Sequence, residues 1–247
     1  MSDLRTLAID IGGTGLKASV LDQNGAMIHD KAWRKTPTDL TPALLLSEIS
    51  ALIASLPDFD RVSVGFPGAV RRGHVLTAPH FEGPDWVNYN LAQGIAQTLH
   101  KPTRLANDAD IQGLGVVSGK GIEAVLTLGT GAGTAFFQNG VLAPHMEFAH
   151  HAVHKKYTYN SYVGRDALAD VGKKRWNRRV HKVIQIVSDL VHYDRLYIGG
   201  GNASKIDGSL PDNVTIVDNA AGITGGIALW RDGAGFDDAD GLSPSPT

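Results

Sequence analysis

The 247-residue sequence contains no cysteine. That absence excludes a disulfide scaffold, a thiolate zinc site, an iron–sulfur cluster and a cysteine nucleophile. Long apolar runs are missing as well: no stretch approaches the roughly 20 residues that a membrane-spanning helix needs. The N-terminal Met1-Ser2-Asp3-Leu4-Arg5 leads into a strand-like segment, with no apolar region followed by a small-residue cleavage site. A cytoplasmic protein without a membrane partner is therefore expected. A surplus of one charge is also lacking, because 23 Lys and Arg stand against 25 Asp and Glu for a net charge of −2. This balance argues against a nucleic acid as partner of the whole chain. Glycine is plentiful, with 29 residues and no G-X-Y period, so collagen is excluded.

Pattern along the chain reads as alternating strands and helices. Residues 7–11 and 16–22 form two strands around Gly12-Gly13-Thr14-Gly15, and 26–29 a third strand after the turn Asp22-Gln23-Asn24-Gly25. Thr41-Pro42 opens a helix with Leu44, Leu45, Ile49, Leu52 and Ile53 at helical spacing. A strand at 61–66 ends in Pro67-Gly68, and 71–90 read as an ordered surface loop. A helix around 91–100, a strand at 103–106 and a helix opened by Asn107-Asp108 follow. Strands at 124–128 and 134–137 flank Gly129-Thr130-Gly131-Ala132-Gly133, and Asn139-Gly140 signals a type I′ hairpin. Helices are expected at 162–172 and 175–193, strands at 195–198 and 214–217, and a glycine-spaced helix at 220–230. The tail 232–247 has little to bury and is expected to be disordered.

The strand–glycine turn–strand unit thus occurs twice, which points to two similar α/β lobes around a central cleft. The N-terminal lobe is expected to span 1–106, with the helix near 220–231 packed on it, and the C-terminal lobe 107–219. Glycines let backbone N–H groups approach a phosphate. Gly12, Gly13 and Thr14 in one turn and Thr130 and Gly131 in the other therefore suit a chain of phosphates. Asp10 would repel phosphate unless a divalent cation intervened, which suggests Mg²⁺ held through water, and Lys17 adds positive charge. Simple tight turns remain the plain alternative. Gly13-Thr14-Gly15-Leu16-Lys17-Ala18 also matches the dinucleotide fingerprint, but that motif needs a helix where a strand is expected. Gly199-Gly200-Gly201 leaves a strand and suits a helix opening there. Gly200 and Gly201 then fit either the base and ribose of a nucleotide or close helix packing.

Five segments occur in the order and spacing of one family. They are Asp10-Ile11-Gly12-Gly13-Thr14-Gly15-Leu16-Lys17, Asn107-Asp108-Ala109-Asp110, Leu126-Thr127-Leu128-Gly129-Thr130-Gly131-Ala132-Gly133, Glu147-Phe148-Ala149-His150 and Ile198-Gly199-Gly200-Gly201. From about residue 5 to 231 the chain resembles the ROK-family sugar kinases, and within them most closely the polyphosphate glucokinase branch. The resemblance implies an actin-like, ribonuclease-H-like two-lobed fold and phosphoryl transfer to a hexose 6-hydroxyl, glucose first among them. It implies Mg²⁺ with ATP or polyphosphate as donor, and a homodimer. Other hexoses, N-acetyl-amino sugars and a non-catalytic sugar-binding regulator remain alternatives.

The resemblance makes Asp108 the general base, placed at a helix N-terminus that favours its charged form; Asn107 and Asp108 also make good N-caps. It makes Asn107, Glu147 and His150 sugar contacts, and the Pro67-Gly68 loop suits a pocket lined by backbone groups. Asp110 reads as a solvated first-turn acid. Trp86 reads equally well as a pocket wall or as core. Three departures bear on sugar recognition: Ala149 replaces the glycine of E-x-G-H, His80 stands where many relatives have a sugar-binding Asn, and no acid lies between Glu147 and Asp166. The chain lacks the cysteine cluster of other members, so no structural zinc is expected; a metal site from Glu147, His150, His151 and His154 is the less favoured reading. Residues 173–182 form a basic helix that suits a polyanion. The preferred, plainer reading is a solvated helix face with Trp176, Val180, Val183 and Ile184 turned inward.

Overall fold

The computed structural model describes residues 4–218 and 220–231; the tail expected to be disordered lies outside them. The chain divides into two compact units, one ending at Ile111 and resuming at Gly222, the other spanning Gln112–Ala221. Among the described residues no helix is long and apolar enough to cross a membrane.

In the first unit the apolar runs become β1 (Thr6–Ile11), β2 (Gly15–Leu21), β3 (Ala32–Lys35), β4 (Arg61–Phe66) and β7 (Thr103–Asn107). They form one sheet in the order β3-β2-β1-β4-β7. β1 pairs antiparallel with β2 and parallel with β4, and β4 continues parallel to β7. Helices α1 (Pro42–Ile53) and α2 (Leu91–Leu99) supply Leu45, Ile49, Leu91 and Ile95 to its core. Thr41 caps α1 by accepting from the Leu44 amide at 3.2 Å. Residues 222–231 also join this unit, where Ile223 and Ile227 pack with Ala8 and Leu21.

In the second unit β8 (Ile122–Leu128), β9 (Ala132–Gln138), β10 (Val141–Leu142), β13 (Arg195–Gly199) and β14 (Val214–Ile216) form a sheet in the order β10-β9-β8-β13-β14. In strand sequence the two sheets have the same order. A small hairpin of β11 (Ala152–His154) and β12 (Tyr157–Thr158) precedes α4 (Tyr159–Val163) and α5 (Arg165–Val191). Asn139 and Gly140 both have positive φ, 51° and 80°, as a type I′ turn between β9 and β10 requires.

Several expectations need correction. The third strand is Ala32–Lys35, not 26–29. Asp22 Oδ1 accepts from the amides of Asn24 and Ala26 and curls the chain there, so Met27 makes only an isolated bridge to Leu21. The 71–90 segment is not wholly a surface loop. It contains the hairpin β5 (Val70–Arg71) and β6 (His74–Val75), and it buries Val75, Phe81 and Trp86. Trp86 is 1% exposed, packs on Phe66 and Phe81, and donates to Leu40 O at 2.9 Å, so it belongs to the core. The two helices expected at 162–172 and 175–193 do meet near Gly172, where α5 breaks at φ 72° and ψ 160° into 165–171 and 173–191; the first starts later than expected. After Gly199-Gly200-Gly201 the chain makes only a 3₁₀ turn, Ala203–Lys205, where a helix was expected. The expected 220–230 helix is the short α6 (Ala221–Thr224) followed by a 3₁₀ segment, consistent with the low helix propensity of Gly222, Gly225 and Gly226.

Candidate active site

Sheet register assembles the candidate residues of the first unit. Asp10 pairs across β1 and β4 with Gly65, which pairs in turn with Ala106 of β7, and the next pair is Phe66 with Asn107. Asp10, the Gly65–Gly68 segment, Asn107 and Asp108 therefore stand side by side at the C-terminal ends of three parallel strands. Open α/β sheets bind their ligands at that edge. Asp108 opens α3 (Asp108–Leu114), where its Oδ1 accepts from the Ala109 amide at 2.8 Å. Asn107 is 4% exposed. Its Nδ2 donates to Gly68 O at 3.0 Å, and its Oδ1 accepts from Ala109 N at 2.8 Å. It thereby ties the 67–68 turn to the start of α3. A Cβ on Gly68 would collide with the Thr77 carbonyl, which explains the glycine there.

The first glycine turn joins β1 to β2 at this same edge. Gly12 N donates to Gly15 O at 3.1 Å, and Thr36 donates its hydroxyl to Gly12 O at 2.6 Å. The amides of Gly13 and Thr14 make no backbone bond among the described residues. Lys17 Nζ lies 3.0 Å from Asp10 Oδ2, across the β1–β2 pair. His80 packs against Gly13, where a Cβ would come 3.2 Å from the His80 Cβ, so the 79–86 loop reaches the turn.

The second glycine turn, within the second unit, is held on its carbonyl side. Arg165 N donates to Gly129 O and Thr130 O at 3.1 and 3.2 Å, and Asn202 Nδ2 donates to Gly129 O at 3.0 Å. The amides of Thr130 and Gly131 make no backbone bond among the described residues. Gly200, with φ 86°, packs on the end of β8: a Cβ would fall 2.6 Å from Leu128 N. Gly201, by contrast, has open space at its Cβ position.

Asn160 links this turn to the Glu147–His150 segment. Its Oδ1 accepts from Ala132 N at 2.7 Å, and its own amide donates to Ala149 O at 3.0 Å. Ala149 is not among the residues with positive φ, so the backbone there suits alanine as well as glycine. Glu147 Oε1 accepts from Ala149 N at 3.0 Å, and its Oε2 lies 3.6 Å from His145 Nε2. Burial pushes the Glu147 carboxyl up, but the neighbouring His145, the Ala149 amide and the charge of His150 outweigh it and hold the pKa below its ordinary value. His150 itself is exposed.

Asp110 is corrected: it is 4% exposed, on a helix buried along residues 109–114, and is no solvated acid. Two positioning residues, Asn160 and His145, escaped the sequence reading. The only signal for Asn160 was Thr158-Tyr-Asn-Ser161, which forms a capping box at α4. Among the described residues no group of three or more His, Asp and Glu side chains is arranged to hold a metal ion.

Comparison with known proteins agrees with this architecture. The polyphosphate glucokinase of Mycobacterium tuberculosis is 31% identical over 238 residues, covering 88% of each chain. That of Mycobacterium leprae is 30% identical over 90% of this chain and 73% of its own. The crystal structure of the inorganic polyphosphate/ATP-glucomannokinase from Arthrobacter sp. strain KM superposes with a TM-score of 0.82 at 27% identity, over 93% of this chain and 100% of that one. A ROK family glucokinase from Streptomyces griseus, solved with glucose and AMPPNP, shares the fold at a TM-score of 0.78 and 20% identity, over 91% and 98% of the two chains. The architecture is the actin-like α/β fold of the ROK sugar kinases. A model of the ROK family matches residues 6–163, and the chain belongs to that family.

Proposed function

We propose that the protein is a glucokinase that transfers a phosphoryl group from inorganic polyphosphate, ATP or both to the 6-hydroxyl of glucose. The phosphotransferase class rests on the family and on the relatives named polyphosphate glucokinase. The observation that carries the assignment of roles is the β1–β4–β7 register, which sets Asp10 and Asp108 at one edge of one sheet. Asp108 takes the proton of the 6-hydroxyl as that oxygen bonds to the terminal phosphorus. The bond from phosphorus to the departing ADP or shortened polyphosphate breaks. Asn107, Glu147 and His150 hold sugar hydroxyls, and Asn107 also ties the 67–68 turn to the start of α3 beside Asp108. The amides of Gly13, Thr14, Thr130 and Gly131 receive phosphate oxygens, with Gly200 shaping the donor side of the second turn.

Mg²⁺ fits the donor set of the first turn. It needs only one or two carboxylates together with phosphate oxygens, and Asp10 offers a partly exposed carboxylate whose neighbour Lys17 is itself a phosphate-compatible cation. Asp10 would hold the ion, which when bound supplies charge neutralisation on the donor phosphates.

The test is mass spectrometry of sugar phosphates formed from a hexose panel, including glucose and mannose, with Mg²⁺ and either ATP or polyphosphate. Glucose 6-phosphate is expected, and Asp108→Asn is expected to lower kcat by about 10²–10⁴-fold. Silence in every lane from folded protein, or an Asp108→Asn variant of full activity, overturns the reading.

A further inference from the structure

The basic residues of α5 do more than face solvent. Trp176, Val180, Val183 and Ile184 do turn inward, as the plainer reading of this helix required. The opposite side of the helix forms a wall of a cavity of about 680 Å³, whose other wall is the β11–β12 hairpin. The helix contributes Arg175, Arg178, Arg179 and Lys182, and the hairpin turn contributes Lys155 and Lys156. Among the described residues no Asp or Glu lines the cavity, although the whole chain carries a net charge of −2.

The cavity is built rather than incidental. Arg179 is 7% exposed, and its guanidinium lies 5.1 Å from the Tyr157 ring centroid and 4.7 Å from that of Tyr162. It donates to Tyr162 O at 3.2 Å. Lys182 Nζ donates to His154 Nδ1 at 3.0 Å, which ties helix to hairpin. Burial, followed by the charges of Lys182, Lys155 and Arg179, lowers the His154 pKa and favours the neutral ring that accepts this bond. Lys155 sits at φ 52°, a conformation more usual for glycine or asparagine, at the turn that projects it and Lys156. Walls of one charge sign concentrate the local potential and attract counter-charge.

We propose that this cavity binds inorganic polyphosphate through phosphates of the chain other than the reacting one, an anchor for the donor outside the glycine turn. The proposal rests on polyphosphate being a donor. Two further observations select this ligand. Tyr162 is buried, and both Tyr157 and Tyr162 pack on Arg179, which leaves little ring surface to stack a nucleic-acid base. The cavity also adjoins the donor turn through one short helix: in α4, Asn160 secures the 129–131 turn while Tyr162 lines the cavity.

Two variant sets, one from each wall, provide the test: Arg175→Gln/Arg178→Gln/Lys182→Gln and Lys155→Gln/Lys156→Gln. All five side chains are exposed, and folding is checked by circular dichroism. Calorimetry without sugar measures binding of long-chain polyphosphate, tripolyphosphate and a single-stranded RNA oligonucleotide across a salt series. Loss of several phosphate contacts predicts about tenfold or weaker long-chain binding with a shallower salt dependence, and a matching rise in the polyphosphate KM with kcat within about twofold. Tripolyphosphate binding should change less. Unchanged long-chain affinity and salt dependence in both sets overturn the proposal, as does RNA binding that polyphosphate cannot displace. A wild-type protein that uses ATP alone but binds long-chain polyphosphate through these residues overturns the donor reading and supports the cavity.

Discussion

At the last-but-one pair before the β1–β2 turn, Asp10 faces Lys17 at 3.0 Å. At the same step before the β8–β9 turn, Thr127 faces Gly133, and its Oγ1 accepts from the Gly133 amide at 3.1 Å. The other end of the two strands reverses the pattern. Thr6 begins the β1–β4 pairing opposite Arg61 and accepts from its Nε at 2.9 Å. The corresponding residue opposite Arg195 is Glu123, an ionisable group with no exposed surface. One topology is used twice, with a carboxylate at the turn in the first unit and at the far end of the strand in the second. Backbone shape therefore follows from the repeated sheet, whereas the chemistry of each turn follows from where the charge was placed. The first turn suits a cation between carboxylate and phosphate; the second is an uncharged cradle of amides.

Removing the charged member of the comparison should have the largest effect. Asp10→Asn keeps the shape of the side chain and is expected to lower kcat by about 10²–10³-fold, the range for loss of one electrostatic contact to reacting charge. Its urea midpoint should move little, because a partly exposed ion pair contributes at most about 1 kcal/mol. Thr127→Val, at the equivalent step of the other unit, should change kcat by less than about tenfold, since it removes one neutral hydrogen bond. Equal losses in steady-state assays would erase the functional distinction between the turns.

Gly200→Ala attacks the second turn from below. Its φ of 86° and the 2.6 Å approach to Leu128 N leave no room for a Cβ. A loss of about 3 kcal/mol or more in urea unfolding is expected, combining backbone strain with collision. Gly15→Ala in the first unit should cost about 1 kcal/mol or less, since the side chain in its way is Trp33, 61% exposed and able to swing aside. Next in size come the braces. Asn160→Ala leaves the Ala132 amide without its acceptor and should cost about 1–3 kcal/mol, while Thr36→Val removes a single hydroxyl bond to Gly12 O and should cost about 1 kcal/mol. If the Thr36 brace proves the stronger in urea, the second turn does not depend on its side-chain clamp.

Much of this was legible in the residues, and the failures have physical causes. The hairpins around Gly12 and Gly129 announce themselves because apolar alternation stops at glycine and resumes. The break at Gly172 falls where two helices were expected to meet. Residues 26–29 misled because Met27 and Ile28 follow a turn as an apolar pair that suits a strand, yet the Asp22 side chain captures the backbone and both stay exposed. Asp110 misled, and Trp86 stayed undecided between pocket wall and core, because burial depends on packing by residues distant in sequence. The basic helix was visible, but its cavity was not: the opposing Lys155 and Lys156 lie some 20 residues earlier and meet it only through the β11–β12 turn. Asn160 carried only the capping box around it, which says nothing of its own bonds: its side chain accepts from one backbone segment while its amide donates to another.

The most selective effect is one that depends on pH. Glu123 accepts from Ser118 N, Ser118 Oγ, Gly119 N, Lys120 N and the Tyr197 hydroxyl at 2.7–3.2 Å. Burial pushes its carboxyl up, but the hydrogen bonds from Ser118, Tyr197 and Gly119 outweigh burial and hold it below its ordinary value of 4.5. The carboxylate thus contributes stability that is fully present above that ordinary value and is lost as pH falls through the lower folded one. Glu123→Gln should therefore be less stable than wild type by about 1–2 kcal/mol near pH 7, with the gap narrowing on acidification. Thr6→Val, at the matching position of the first unit, does not titrate and should show a gap independent of pH. Taking each variant against wild type cancels the acid response of every other carboxylate, so urea melts at neutral and acid pH isolate this one. A Glu123→Gln deficit that stays constant with pH would mean that the group at the far end of β8 acts by shape, and that charge distinguishes the two units only at their turns.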